Sequence, residues 1–108
     1  MANSLNSKPW DGSPSRYATT ADYADACLVN ENTGPRSQWV QAKAHLPIQE
    51  PNGDYNRAAM GAAAAALVGG RGGVQLPPAV KKAAARKLAS IYARFQLPVP
   101  PALKNMAM

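Results

Sequence analysis

Bulky apolar side chains are scarce in this sequence, and that scarcity limits what it can build. Leu, Val, Ile and Phe number 8, 6, 2 and 1, or 17 of 108 residues. Alanine supplies much of the 46% hydrophobic fraction. It favours helix but brings little apolar area to a core. A chain of this length makes one domain and buries roughly 65% of its unfolded surface. So few large side chains, with a high net charge, point to a thin stability margin. The expectation is a small, mainly α domain that gains stability when a partner supplies further apolar contacts.

Charge divides the chain. Residues 1–54 carry four cations and six acids, a net −2. Residues 55–108 carry eight cations and no acid, a net +8, and the two reproduce the overall +6. A positive C-terminal half is drawn to anionic surfaces such as nucleic acid or acidic protein. The acidic half of a second copy is a further option.

The chain organises into three stretches. Residues 1–18 read as an extended arm, because Pro9, Gly12 and Pro14 forbid a helix, and Trp10 and Tyr17 stand out as anchors. Residues 19–97 read as the helical domain. Thr19 or Thr20 caps a short first helix, with Tyr23, Cys27 and Leu28 on its buried face. Gln38 to Ile48 alternates well enough for a short strand or extended segment. Asn56 or Asp54 caps a helix over about 57–68, which Gly69 ends. Its Ala58, Gly61, Ala62, Ala65 and Ala66 leave it smooth enough for another backbone to approach. Pro78 opens a helix over about 78–96. The two form a helical hairpin across Gly69–Gly73. In the second, Val80, Ala84, Leu88, Ile91, Tyr92 and Phe95 share an arc of about 120°. Residues 98–108 read as a Pro-rich, extended C-terminal tail, anchored by Val99 and Leu103.

The search for chemistry excludes more than it finds. Cys27 with His45 lacks a third residue placed by motif. Asp22 and Asp25 are one helical turn apart, a spacing that solvated helix acids share. The glycine cluster Gly69–Gly73 ends in Val74 and so lacks the Lys-Ser/Thr of a phosphate loop. One cysteine and one histidine offer no metal site. No enzyme, cofactor or metal is expected. No apolar run suits a signal peptide or a membrane span, so no membrane partner is expected.

The positive signals are two. Lys82, Arg86, Lys87 and Arg94 share one helix face, and Arg57 and Arg71 could join them on an anionic surface. Trp10, Tyr17, Val99 and Leu103 are the candidate partner-binding anchors.

Several phrases also occur in a telling order: Pro9-Trp10-Asp11-Gly12-Ser13, Arg16-Tyr17, Cys27-Leu28, Leu46-Pro47-Ile48, Glu50-Pro51-Asn52-Gly53, Asn56, the alanine helix, Arg71-Gly72-Gly73-Val74, and Lys82 to Leu88. Together they resemble a small domain of tailed-bacteriophage and prophage proteins, sometimes attached to head-maturation proteins of the prohead-protease type. The resemblance covers about residues 9–95 and carries no catalytic residues over. It implies a virion structural protein, such as a capsid decoration or minor head protein, assembled in the host cytoplasm and located in the virion. Its partners would be the major capsid protein or other virion subunits, or copies of itself. The alternative is a nucleic-acid-binding accessory protein using the basic helix. A host-directed inhibitor is a third reading.

Overall fold

A computed structural model of the chain describes residues 4–69 and 76–108. It divides into two units, Met1–Met60 and Gly61–Met108.

The first unit carries all the strands among the described residues. Strand β1 (Leu5–Asn6) runs parallel to β4 (Tyr55–Asn56), with Leu5 opposite Tyr55 and Asn6 opposite Asn56. A 3₁₀ turn at Pro14–Arg16 leads to helix α1 (Thr20–Asp25). Thr19 caps α1, its hydroxyl accepting the Asp22 N–H at 3.0 Å. Strand β2 (Cys27–Asn30) pairs antiparallel with β3 (Ala44–Pro47). The buried cluster here is Tyr17, Tyr23, Ala24, Ala26, Cys27 and Ala44, with Trp39 packed against it. Tyr17 and Tyr23 meet edge to face, with centroids 5.4 Å apart.

Helix α2 (Arg57–Leu67) opens where β4 ends. Asn56 caps it, accepting the Ala59 N–H at 3.0 Å. The helix lies 11 residues long, and Gly69 beyond it takes φ +92°, a conformation glycine adopts without penalty. The second unit continues with α3 (Pro78–Arg94) and α4 (Pro101–Ala107), which pack on each other. Ala84, Ala85, Leu88, Ile91 and Tyr92 are buried on α3, and Leu103 on α4.

The mainly α expectation is corrected. About half of the described residues are helical, but 13% are strand, in two separate two-stranded sheets. The first unit departs from the expectation in several details. Cys27, Leu28 and Val29 leave the first helix and form β2, because Val29 and its neighbours find a partner in β3. The segment expected to extend over 38–48 is strand only from Ala44. Before that, Arg36–Gln38 and Gln41–Lys43 are 3₁₀ turns. Asn32 serves Val40 in place of a strand neighbour: its carboxamide accepts the Val40 N–H at 2.9 Å and donates to the Val40 carbonyl at 3.1 Å.

The N-terminal arm is extended at β1 but turns at Pro14–Arg16, and the C-terminal arm is not extended beyond Pro100. The N-terminal arm pairs as β1, and the Tyr55 N–H reaches the Ser4 carbonyl at 2.8 Å. The C-terminal arm turns helical at Pro101, because proline's fixed φ suits the first helical position just as it does at Pro78. The helices expected at 57–68 and 78–96 both form, but α3 finds its packing partner in α4 rather than completing a simple hairpin.

Candidate binding surfaces

The first unit is organised around one carboxylate. Ile48, 2% exposed, leads from β3 into a turn, and Gln49 bridges back to Tyr55. Glu50 stands at the head of that turn, 8% exposed. Its Oε1 accepts from Arg16 Nη2 at 2.6 Å, and its Oε2 from Asn56 Nδ2 at 3.1 Å. Asn6 Nδ2 lies 3.5 Å from the same Oε2. Asn56 is fully buried and also donates to Asn6 Oδ1 at 3.0 Å and the Lys8 carbonyl at 3.1 Å. Burial works to raise the Glu50 pKa, but the hydrogen bonds from Arg16 and Asn56 outweigh it and hold the carboxyl below its ordinary value. Every buried side-chain polar atom among the described residues has a partner. This network ties β1, the Pro14–Arg16 turn, the Glu50 turn and the start of α2 together. It is saturated, so it offers nothing to a ligand.

Trp10 and Tyr17 belong to that construction. The Arg16 guanidinium lies over the half-buried Trp10 ring, 5.7 Å from its centre, and also donates to the Asp11 carbonyl. Gly12 permits the fit, since a Cβ there would lie 3.1 Å from Trp10 Nε1 and 3.4 Å from Pro47. Tyr17 is 7% exposed and its hydroxyl donates to the Gln49 carbonyl at 2.5 Å.

Two clefts open on the first unit. One, of about 190 Å³, is walled by Tyr17, Asp22, Asp25, Gln49 and Glu50. The other, of about 500 Å³, lies between Thr19–Asp22 and Arg36–Trp39. Arg36 spans Asp25 at 2.8 Å and Asp22 at 3.6 Å, and stacks over Trp39 at 5.1 Å. Burial pushes the Cys27 thiol up to about 11, so it stays protonated at neutral pH, with the Tyr23 hydroxyl bonded to its sulfur. His45 is engaged by Glu31 at 2.9 Å. Among the described residues, no three His, Cys, Asp or Glu side chains gather as a metal site. No helix there is long and apolar enough to cross a membrane.

The second unit presents two surfaces of a different kind. The first is a groove of about 210 Å³ lined by Gly61, Ala64, Ala65 and Val68 of the α2 side and by Pro100, Ala102 and Leu103 of the α4 side. Every lining residue is small or apolar. Leu103, 0% exposed, is packed inward, while Val68 is 41% exposed at the rim. Val99 is half-buried beside it in sequence. The smoothness of α2 was legible in its alanines. The opposite wall was not, because it needed α4.

The second surface is the outer face of α3. Lys82, Arg86, Lys87 and Arg94 are all exposed there. Helical geometry spreads them over about 140° of arc and about 18 Å of axis. Ala79, Ala83, Ser90 and Ala93 are exposed between them. Arg86 has a second task that the sequence did not show. Its Nε donates to the Ala107 carbonyl at 3.0 Å, placing a cation at the C-terminal end of α4. Arg57 is exposed on the first turn of α2, in the first unit, and Arg71 lies outside the described residues. Compared with protein-family models, curated proteins and solved structures, the chain matches none of them.

Proposed function

We propose that this chain is a non-enzymatic virion structural protein, a capsid decoration or minor head protein of a tailed phage, that docks on shell subunits. The observation that carries the reading is the apolar groove of the second unit. Its walls are alanine, glycine, proline, valine and leucine, so it gains nothing from water and can take one bulky apolar side chain from a partner. Anchors of that kind, seated in small pockets, supply most of the energy of a protein interface. The ordered resemblance to a tailed-phage domain supports the choice of assembly. Shell subunits are better partners than further copies of this chain, because each copy carries +6 and copies repel.

Quantitative mass spectrometry of purified particles tests this. The protein is expected at a fixed ratio to the major shell protein, and its absence ends the reading. Ala65→Glu then tests the groove. Ala65 is exposed, so the variant keeps its fold, but it places a charge on the apolar wall. It is expected to be lost from particles while melting as the parent does. Incorporation at the parent's copy number would remove the groove from the interface. Shell binding should also stabilise the protein, by about 2.7 kcal/mol when sites are present at 100 times the dissociation constant.

A further inference from the structure

We infer that Asn52-Gly53 is a site of self-modification, where water converts Asn52 to aspartate or isoaspartate, that the turn around it holds the reaction back while closed, and that conversion loosens the first unit. The inference is independent of the shell-docking reading, which uses the second unit.

The chemistry needs only the two neighbours and water. The Gly53 nitrogen gives its proton to a solvent base and attacks Asn52 Cγ. The Cγ–Nδ2 bond breaks, Nδ2 takes a proton from solvent, and ammonia leaves. A five-membered imide remains, and water opens it at either carbonyl. The balance is one amide and one water in, one acid and one ammonia out, with nothing oxidised or reduced. Of the seven asparagines only Asn52 precedes a glycine, and glycine has no Cβ to block the attack. Asn52 is also exposed to the water that the reaction consumes.

The turn sets the rate. The Gly53 N–H donates to the Glu50 carbonyl at 2.8 Å, so the attacking nitrogen keeps its proton. The Asp54 N–H donates to Asn52 Oδ1 at 2.9 Å, and Asn52 Nδ2 donates to Asp54 Oδ2 at 3.3 Å, so both ends of the reacting carboxamide are engaged. The Glu50 N–H donates to the Asp54 carbonyl at 2.7 Å, and Gln49 Nε2 to the Gly53 carbonyl at 2.8 Å. The reaction therefore proceeds from the opened turn, a local event that leaves the rest of the chain folded.

Conversion does not leave the turn as it was. Either product loses the Nδ2 donor and sets a new carboxylate beside Asp54. Isoaspartate also lengthens the main chain at position 52 by one carbon, so the two backbone bonds that close the turn lose their register. Those bonds frame Glu50, whose carboxylate holds Arg16 and Asn56.

The test incubates the whole chain at mildly alkaline pH, folded and in urea. Peptide mass mapping follows position 52, and an isoaspartate-specific methyl transfer separates the two products. In urea, position 52 should gain acid ahead of every other asparagine. The folded chain should react at least about tenfold more slowly, since only the fraction with the turn open takes part. Gln49→Ala removes one strap from the turn. It should speed the folded reaction about fivefold, the worth of one hydrogen bond, and leave the rate in urea unchanged. Asn52→Gln would need a six-membered ring and should gain no acid. Fully converted parent should melt about 4 °C lower than fresh parent, while Asn52→Gln incubated alongside should not change.

Any of four results overturns the inference: no acid at position 52 in urea, equal rates folded and in urea, a folded Gln49→Ala chain that reacts no faster than the parent, or a converted chain that melts as the fresh one does.

Discussion

The two units meet the same shortage of large apolar side chains in different ways. In the first, buried polar groups do much of the joining. Glu50 and the fully buried Asn56 hold β1, the Pro14–Arg16 turn and the start of α2 through a saturated set of hydrogen bonds. In the second, helices carry the structure. There α3 packs on α4, and Ala84, Ala85, Leu88, Ile91, Tyr92 and Leu103 are buried. Directional bonds demand particular residues at particular positions. Alanine packing demands only smoothness, and leaves the outer face of α3 at liberty to carry charge. The contrast teaches that a low count of bulky residues does not fix how a core is made.

The strongest way to break this contrast is to remove Asn56. Asn56→Ala deletes a helix cap and takes a donor from the buried Glu50 carboxylate and from the Asn6 and Lys8 oxygens. It should cost about 4 kcal/mol in chemical denaturation. A cost under about 1 kcal/mol would show that the network merely decorates the first unit. Next comes the apolar counterpart. Leu88 is 0% exposed, and Leu88→Ala should cost about 3 kcal/mol through lost burial and the cavity left behind. If it proves harmless, the second unit is not held by its few large side chains.

The smallest effect is also the most specific. Glu50→Gln keeps the shape but removes the charge facing Arg16, and should cost about 2 kcal/mol at neutral pH. The folded carboxyl lies below its ordinary 4.5, so the unfolded state takes up the proton first as acid is added. Its stabilisation is therefore complete above that ordinary value and is lost as pH falls through the folded one. The parent should lose stability below about pH 4.5 more steeply than the variant. Parallel acid-denaturation curves would falsify a stabilising role for the ionised carboxylate.

Legibility followed the range of the interaction. Helix starts at Thr19, Asn56 and Pro78 were readable, since a cap or a proline acts within one turn. The basic face of α3 was readable for the same reason, because helical period alone sorts its residues. By sequence Pro101 continues a stiff tail, although it stands in the same relation to its helix as Pro78. The preceding run of prolines masked a helix start. The pattern around Cys27 and Leu28 fits a helix or a strand over so few residues, and only the pairing with β3 decides between them. Of the four expected anchors, Tyr17 and Leu103 are buried within the chain, while Trp10 and Val99 are half-buried. Size and aromaticity mark a side chain that needs burial, but they do not say whose surface supplies it.

The sequence by itself determined the acid-free C-terminal half, the smooth alanine helix and the cationic face of α3, because these depend on composition and on one helical period. Tertiary structure decided that Glu50 has partners, that Arg86 closes α4, that β1 pairs with β4, and that Leu103 forms part of a groove. Each of these joins residues far apart along the chain, and such contacts form only where folding brings their backbones to the same place.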